Sequence, residues 1–252
     1  MRAVMMQRGR LWVDEQPLPE PGPGEVLVKT LACGICGSDL HAAQHTDAFV
    51  ATSRAAGGAF QLTTFDPVVL GHEFCAEVVD HGPGTKAQLP SGTLVCSLPV
   101  LTRERPVSVG YSADTPGGFA EYMRLSERLL LPVPHGLAPE HAALTEPMAV
   151  GLHAVNKARW QGGEGTVVIG AGPVGLAVVT ALKARGIAPI IAADFSPTRR
   201  DLALSQGAHA AFDPNQQDPF TARELGGREL IVFECVGVPG MLDDLFAKAP
   251  QH

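Results

Sequence analysis

Four residues of this chain carry side chains that could hold one metal ion: Cys36, His72, Glu73 and Glu146. A thiolate, an imidazole and carboxylates are donors that zinc accepts. Structural zinc sites draw their ligands from close pairs, but these four come from three remote stretches. That arrangement suits a catalytic site, where three protein ligands leave one position for water or substrate. Each residue also has a plainer reading. Cys36 suits a buried thiol, His72 a core histidine with its hydrogen bonds satisfied, and Glu146 an acid favoured by the dipole at a helix start. Cys33 and Cys36 form a lone C-x-x-C, a spacing used in redox chemistry. With no second pair and no thioredoxin-like surroundings, that use is disfavoured.

A second constellation lies in TVVIGAGPVGLAVVTAL, from Thr166 to Leu182. An apolar β-branched run, suited to a strand buried on both faces, leads into Gly170, Gly172 and Gly175 in G-x-G-x-x-G spacing. One glycine permits a tight turn, one lets the backbone approach a pyrophosphate, and one lets helix and strand pack closely. The helix that follows then points its N-terminus at the anion. A further apolar run from Pro189 ends on Asp194, about 20 residues on, where an acid meets a ribose 2′-hydroxyl. The order of strand, glycines, helix, strand and acid points to a bound dinucleotide, against a glycine-rich turn in some other α/β protein. Asp194 would repel a 2′-phosphate, so NAD is expected over NADP.

The elements that must position these residues follow from patterning. Arg2 to Val13 reads as short strands about a turn at Arg8–Gly9, followed by a stiff proline-rich loop from Pro17 to Gly24. Glu25 to Ala32 alternates as a half-buried strand and delivers the chain to CGICGSDLH. Residues 46–66 are polar, small and patternless, and are expected to form a long surface loop. Short strands recur through residue 135, which suggests an antiparallel, barrel-like first part. Leu137 to Lys157 reads as mainly helical. Beyond Asp194 helices and strands alternate: helix 198–206, strand 208–212, a weak helix 220–225, strand 230–233 and a helix from Met241. The fold expected is α/β, with a β-rich domain over 1–152 and a doubly wound parallel sheet over 153–252. Its four strands are fewer than the usual six.

Composition excludes several classes. At 252 residues with 45% hydrophobic and 18% charged content, the chain has the makings of a packed core. A net charge of −7 with no basic cluster argues against a nucleic-acid partner. No stretch has the length and character of a signal peptide or a membrane span. Five cysteines without a framework of pairs fit a reducing, cytoplasmic setting.

The quoted motifs settle a resemblance. GICGSDLH, then GHE, then Glu146–Pro147, then GAGPVG resembles the medium-chain, zinc-dependent alcohol and polyol dehydrogenases, from the N-terminus to the last residue. Glutamate at position 146 is similar to the butanediol, threonine and sorbitol dehydrogenase branch. The resemblance implies a GroES-like domain followed by a Rossmann domain. It implies a zinc held by Cys36 and His72, with Glu73 and Glu146 as further or exchanging ligands. As a Lewis acid the zinc lowers the pKa of an alcohol, whose hydride passes to NAD. By the same resemblance Ser38 takes the substrate proton, His41 passes it to solvent, and Asp39 orients His72. In the cofactor half Pro173, Val174 and Val236 join the glycines. Val174 packs on the nicotinamide, and Arg199 lies near the adenosine.

Two departures stand out. The interval from Val95 to Gly118, where the family often carries four cysteines around a structural zinc, holds only Cys96. One catalytic zinc and no structural zinc are therefore expected. Family members also continue for about a hundred residues past the point matching His252, a part that completes the sheet and makes the interface of their homo-oligomers. The expectation is that this chain alone is much less active than a full-length relative. The reading is a dehydrogenase of a small secondary alcohol or vicinal diol; the alternative is a non-catalytic remnant binding zinc or dinucleotide only. The zinc-free quinone-reductase branch is disfavoured, because Cys36, His72 and Glu73 have no purpose there.

Overall fold

A computed structural model describes residues 1–57 and 60–248. The chain divides into two compact units between Glu146 and Pro147. The expected division after residue 152 lies further along the same helix.

In the first unit, β1 (Arg2–Gln7) and β2 (Arg10–Glu15) form a hairpin. Arg8 and Gly9 both take positive φ at its two-residue turn, the backbone that matches the twist of the flanking strands. Then follow β3 (Glu25–Gly34), α1 (Gly37–Gln44), α2 (Thr46–Ala55) and β4 (Glu73–His81). After them come β5 (Leu94–Ser97), β6 (Val100–Leu101), β7 (Val107–Ser108), β8 (Tyr122–Ser126) and β9 (Leu130–Pro132). Helix α3 (Pro139–Ala142) closes the unit, and α4 (Thr145–Lys157) begins at its end and runs on into the second.

The main sheet is antiparallel in the order β8-β3-β4-β5-β9. Its two edge strands are joined by a single 3-10 turn, Glu127–Leu129. Such a link spans about 14 Å at most, whereas the edges of a flat five-stranded sheet stand about 19 Å apart. The sheet must therefore curl towards a barrel. Val26, Val28, Phe74, Val78, Val95 and Met123 fill its interior.

Two expectations need correction. Residues 46–66 are not wholly loop, because α2 occupies the first half. Its inward face is Thr46, Val50 and Ser53, a helical spacing whose small polar members hide the period. Thr46 Oγ1 donates to the Ala42 carbonyl at 2.6 Å, and Ser53 Oγ to that of Phe60, so tertiary contacts satisfy these hydroxyls. Residues 220–225 are not a helix but parts of two 3-10 turns, Pro219–Thr221 and Arg223–Leu225. Asp218 caps the first, and Gly226, left-handed, ends the second.

The second unit is a parallel sheet with helices between its strands. Its elements are β10 (Gly165–Ile169), α5 (Pro173–Ala184), β11 (Ile190–Ala193), α6 (Pro197–Gln206), β12 (Ala210–Phe212), β13 (Leu230–Glu234) and α7 (Met241–Lys248). The strand order is β12-β11-β10-β13, the 3-2-1-4 portion of a doubly wound sheet. β10 and β11 are buried throughout, as central parallel strands require. Among the described residues no helix is long and apolar enough to cross a membrane.

Candidate metal centre and cofactor cleft

Sheet register brings the remote ligand candidates together. β3 and β4 pair antiparallel, with Cys33 opposite Phe74 and Gly34 opposite Glu73. Cys36 follows the end of β3 by two residues, and His72 immediately precedes β4. Both ends therefore meet at one edge of the ladder. The donor atoms of Cys36, His72 and Glu73 all lie within 4.8 Å of one another. His72 and Glu73 are buried, and Cys36 is half-buried.

Cys36 is the N-cap of α1, in extended backbone. Its N–H donates to Asp39 Oδ2 at 3.0 Å, which fixes where the strand turns into the helix. The other oxygen of Asp39 lies 3.3 Å from His72 Nδ1, a charge contact without the alignment of a hydrogen bond. Nδ1 is thus turned to Asp39, which leaves Nε2 as the nitrogen that could face a metal. Burial alone would lower the His72 pKa, but Asp39 and Cys36 outweigh it and raise it to about 10. The donor set itself, a sulfur, an imidazole nitrogen and a carboxylate within joint reach, fits zinc.

Glu146 stands outside this triplet. In the first turn of α4 and half-buried, its carboxyl is raised by burial first, against His72, and raised further by Glu73 and Asp39. Ser38 places Oγ 3.5 Å from His72 Nε2. His41 is exposed on α1, its ring centroid 6.5 Å from that of His45.

One participant escaped the sequence reading. Tyr111 is 3% exposed, and its hydroxyl lies 2.8 Å from Ser38 Oγ and 3.3 Å from Asp39 Oδ1. Its ring packs with Phe49, Phe60 and His72. Burial, then the charge of Asp39, pushes the phenol well above its ordinary range, so it stays protonated. The available signal was a single aromatic in the stretch TRERPVSVGYSADTPGG, residues 102–118.

In the second unit the glycines divide their labour. Gly170 takes φ +90° at the end of β10. A Cβ on Gly175 would strike the Gly170 carbonyl oxygen, so that glycine allows helix and strand to pack. A Cβ on Gly172 would meet nothing within 4 Å, which leaves the start of α5 open to a phosphate. A cleft of about 940 Å³ is lined by Gly170, Gly172, Asp194, Arg199 and Val236, with Phe220 on its wall. Pro173, Val174 and Gly175 form the first turn of α5 and are not among its lining residues.

Asp194 accepts from the N–H of Ala171 at 2.9 Å and of Ser196 at 2.8 Å, and Arg199 stands 3.7 Å away. A carboxylate has about four acceptor sites, so it can still receive a sugar hydroxyl.

Two family models match the chain: the alcohol dehydrogenase GroES-like domain over residues 22–135 and the zinc-binding dehydrogenase domain over 173–249. This chain belongs to the medium-chain, zinc-dependent dehydrogenases. It is 36% identical to the (R,R)-butanediol dehydrogenase of Bacillus subtilis (strain 168), over 89% of this chain and 67% of that one. It is 31% identical to the sorbitol dehydrogenase of Gallus gallus, over 94% and 69%. A family structure from Sinorhizobium meliloti 1021, bound to NADP, superposes with a TM-score of 0.79 at 31% identity, over 94% of this chain and 70% of that one. The chain thus spans about two thirds of the length of these relatives.

Proposed function

We propose that this chain oxidises a small secondary alcohol or vicinal diol by passing a hydride to NAD, with one zinc ion bound in its first, GroES-like unit and the dinucleotide in its second, Rossmann unit. The observation that carries this reading is the convergence of Cys36, His72 and Glu73 within 4.8 Å, in a chain whose other unit holds a glycine-rich cleft with an acid on its wall. Cys36 and His72 hold the metal; Glu73 completes the triplet, and Glu146 serves as a fourth or exchanging ligand. When bound, the zinc supplies Lewis acidity that eases loss of the alcohol proton. Ser38 accepts that proton, exposed His41 hands it to solvent, and Asp39 keeps His72 turned to the metal.

The rest of the cofactor set follows the same logic. Gly170, Gly172, Pro173 and Gly175 cradle the pyrophosphate at the start of α5, while Val174 and Val236 supply apolar contact to the nicotinamide. Asp194 takes a ribose hydroxyl and repels a 2′-phosphate, which favours NAD over NADP. Arg199 lies beside it for the adenosine. A single zinc per chain is expected. Cys96, the one cysteine of the interval from Val95 to Gly118, is buried and donates to the Ala142 carbonyl at 3.1 Å. Its thiol lies against that of buried Cys75, and among the described residues no third metal-binding side chain joins the two to make a second site.

The test is metal analysis with NADH formation on butanediol, sorbitol and threonine, for wild type and Cys36→Ser. Wild type should carry one zinc and turn over, much more slowly than a full-length relative, and the variant should lose both. Turnover persisting in the zinc-free variant would sink the reading.

A further inference from the structure

Resting on that reading, we infer that Tyr111 is a positioning residue, whose hydroxyl ties the proton-accepting Ser38 to Asp39, the carboxylate behind His72. Three facts support it. The Tyr111 oxygen lies within hydrogen-bond distance of both partners, at 2.8 and 3.3 Å. It carries one hydrogen, so it can donate to one partner at a time, while its lone pairs accept from Ser38. When it donates to Asp39 Oδ1, Ser38 can donate to it, and a chain runs from the serine through the phenol to the carboxylate. When it donates to Ser38, the serine oxygen keeps one lone pair for an incoming proton.

Either way the phenol fixes where Ser38 Oγ sits. Without it, that hydroxyl has, among the described residues, only the 3.5 Å contact to His72 Nε2, a nitrogen that a metal would claim. The ring itself is locked. It stacks on Phe49 at 5.6 Å with planes 13° apart, meets Phe60 at 4.5 Å, and is 3% exposed among Met6, Val50, Leu62 and Leu70. A rigid phenol anchored in a core and reaching two members of the site is what holds a constellation to within a few tenths of an ångström.

Tyr111→Phe removes the hydroxyl and keeps the ring. In that variant the zinc dissociation constant, measured by competition with a chromogenic chelator, should rise about three- to tenfold, less than for a direct partner of a ligand. The kcat should fall about tenfold with the KM for NAD unmoved. Phe49→Leu, which keeps the hydroxyl and loosens the ring only in part, should lower the melting temperature and weaken zinc binding less than Tyr111→Phe does. Zinc affinity and kcat both unchanged in Tyr111→Phe would overturn the inference alone. A wild-type chain that takes up no zinc would overturn the functional reading beneath it.

Should Tyr111→Phe not fold, the two tyrosines, Tyr111 and Tyr122, permit a second readout. With 3-fluorotyrosine in both, zinc should shift the fluorine resonance of Tyr111 and not that of Tyr122. A Tyr111 resonance indifferent to bound zinc would overturn the inference.

Discussion

Asp194 serves two purposes, and a substitution there has to be read in both. Its oxygens satisfy the N–H groups of Ala171 and Ser196, which lie on the glycine turn and at the cap of α6. Its charge faces the cleft that would receive the adenosine ribose. Asp194→Ala should shrink the preference for NADH over NADPH by about tenfold in fluorescence titration, since like-charge repulsion of about 1.4 kcal/mol is removed. The same variant should also melt lower, because a buried N–H left unsatisfied costs about 1–3 kcal/mol. Asp194→Asn separates the effects, keeping an acceptor and losing the charge. A cofactor preference unchanged in both variants would remove Asp194 from the selectivity argument. Gly175 and its neighbours were legible at this scale, because a glycine spacing is local and each position has its own steric reason.

Pairing between strands is what turns separate motifs into a site. Gly34 and Glu73 face each other across β3 and β4, and a Cβ on Gly34 would strike Glu73 Oε2. Its main obstacle is the far end of a side chain, which can swing aside, while the Glu73 Cβ at 3.2 Å has to give by only a few tenths of an ångström. Gly175, by contrast, faces the backbone oxygen of Gly170, which cannot. Gly34→Ala should therefore leave the melting temperature within a few degrees of wild type while weakening zinc binding in chelator competition. Gly175→Ala should destabilise the second unit by about 2 kcal/mol, as overpacking does. Equal losses of stability in the two variants would contradict this steric account. Helix α2 belongs to the same scale. The sequence from Thr46 reads as loop because two of its three inward positions are threonine and serine, and hydrogen bonds to Ala42, Ala43 and Phe60 make those residues fit to be buried.

Across the whole first unit, Glu25 joins three segments. Its buried carboxylate accepts from Arg103 Nε at 2.8 Å and from the Gly22 N–H at 3.0 Å, and Arg124 lies 3.7 Å away. Burial by itself would raise its pKa, but Arg103, the Gly22 N–H and the charge of Arg124 outweigh it, so the carboxyl is held below its ordinary value. A group depressed on folding binds its proton more readily when unfolded. Its contribution is therefore complete above the unfolded value, about 4.3 for glutamate, and fades as pH falls through the folded value. Glu25→Gln should cost about 2 kcal/mol at pH 7, below the range for a fully buried pair because Arg103 is 37% exposed. The gap to wild type should narrow in thermal melts below about pH 4. A gap independent of pH would show that charge is not the source.

From the sequence alone came the metal-ligand candidates, the glycine turn with its acid, and the alternation of strands and helices that ordered the second unit. Each of these is a local signal, carried by residue types within a turn or a single βαβ unit. Folding alone decided that Cys36 and Glu73 meet through the register of two strands, that α2 exists, and that Tyr111 reaches Ser38 and Asp39 from a segment some seventy residues away. The physical reason is that such adjacencies arise from sheet pairing and burial, which no spacing along the chain records.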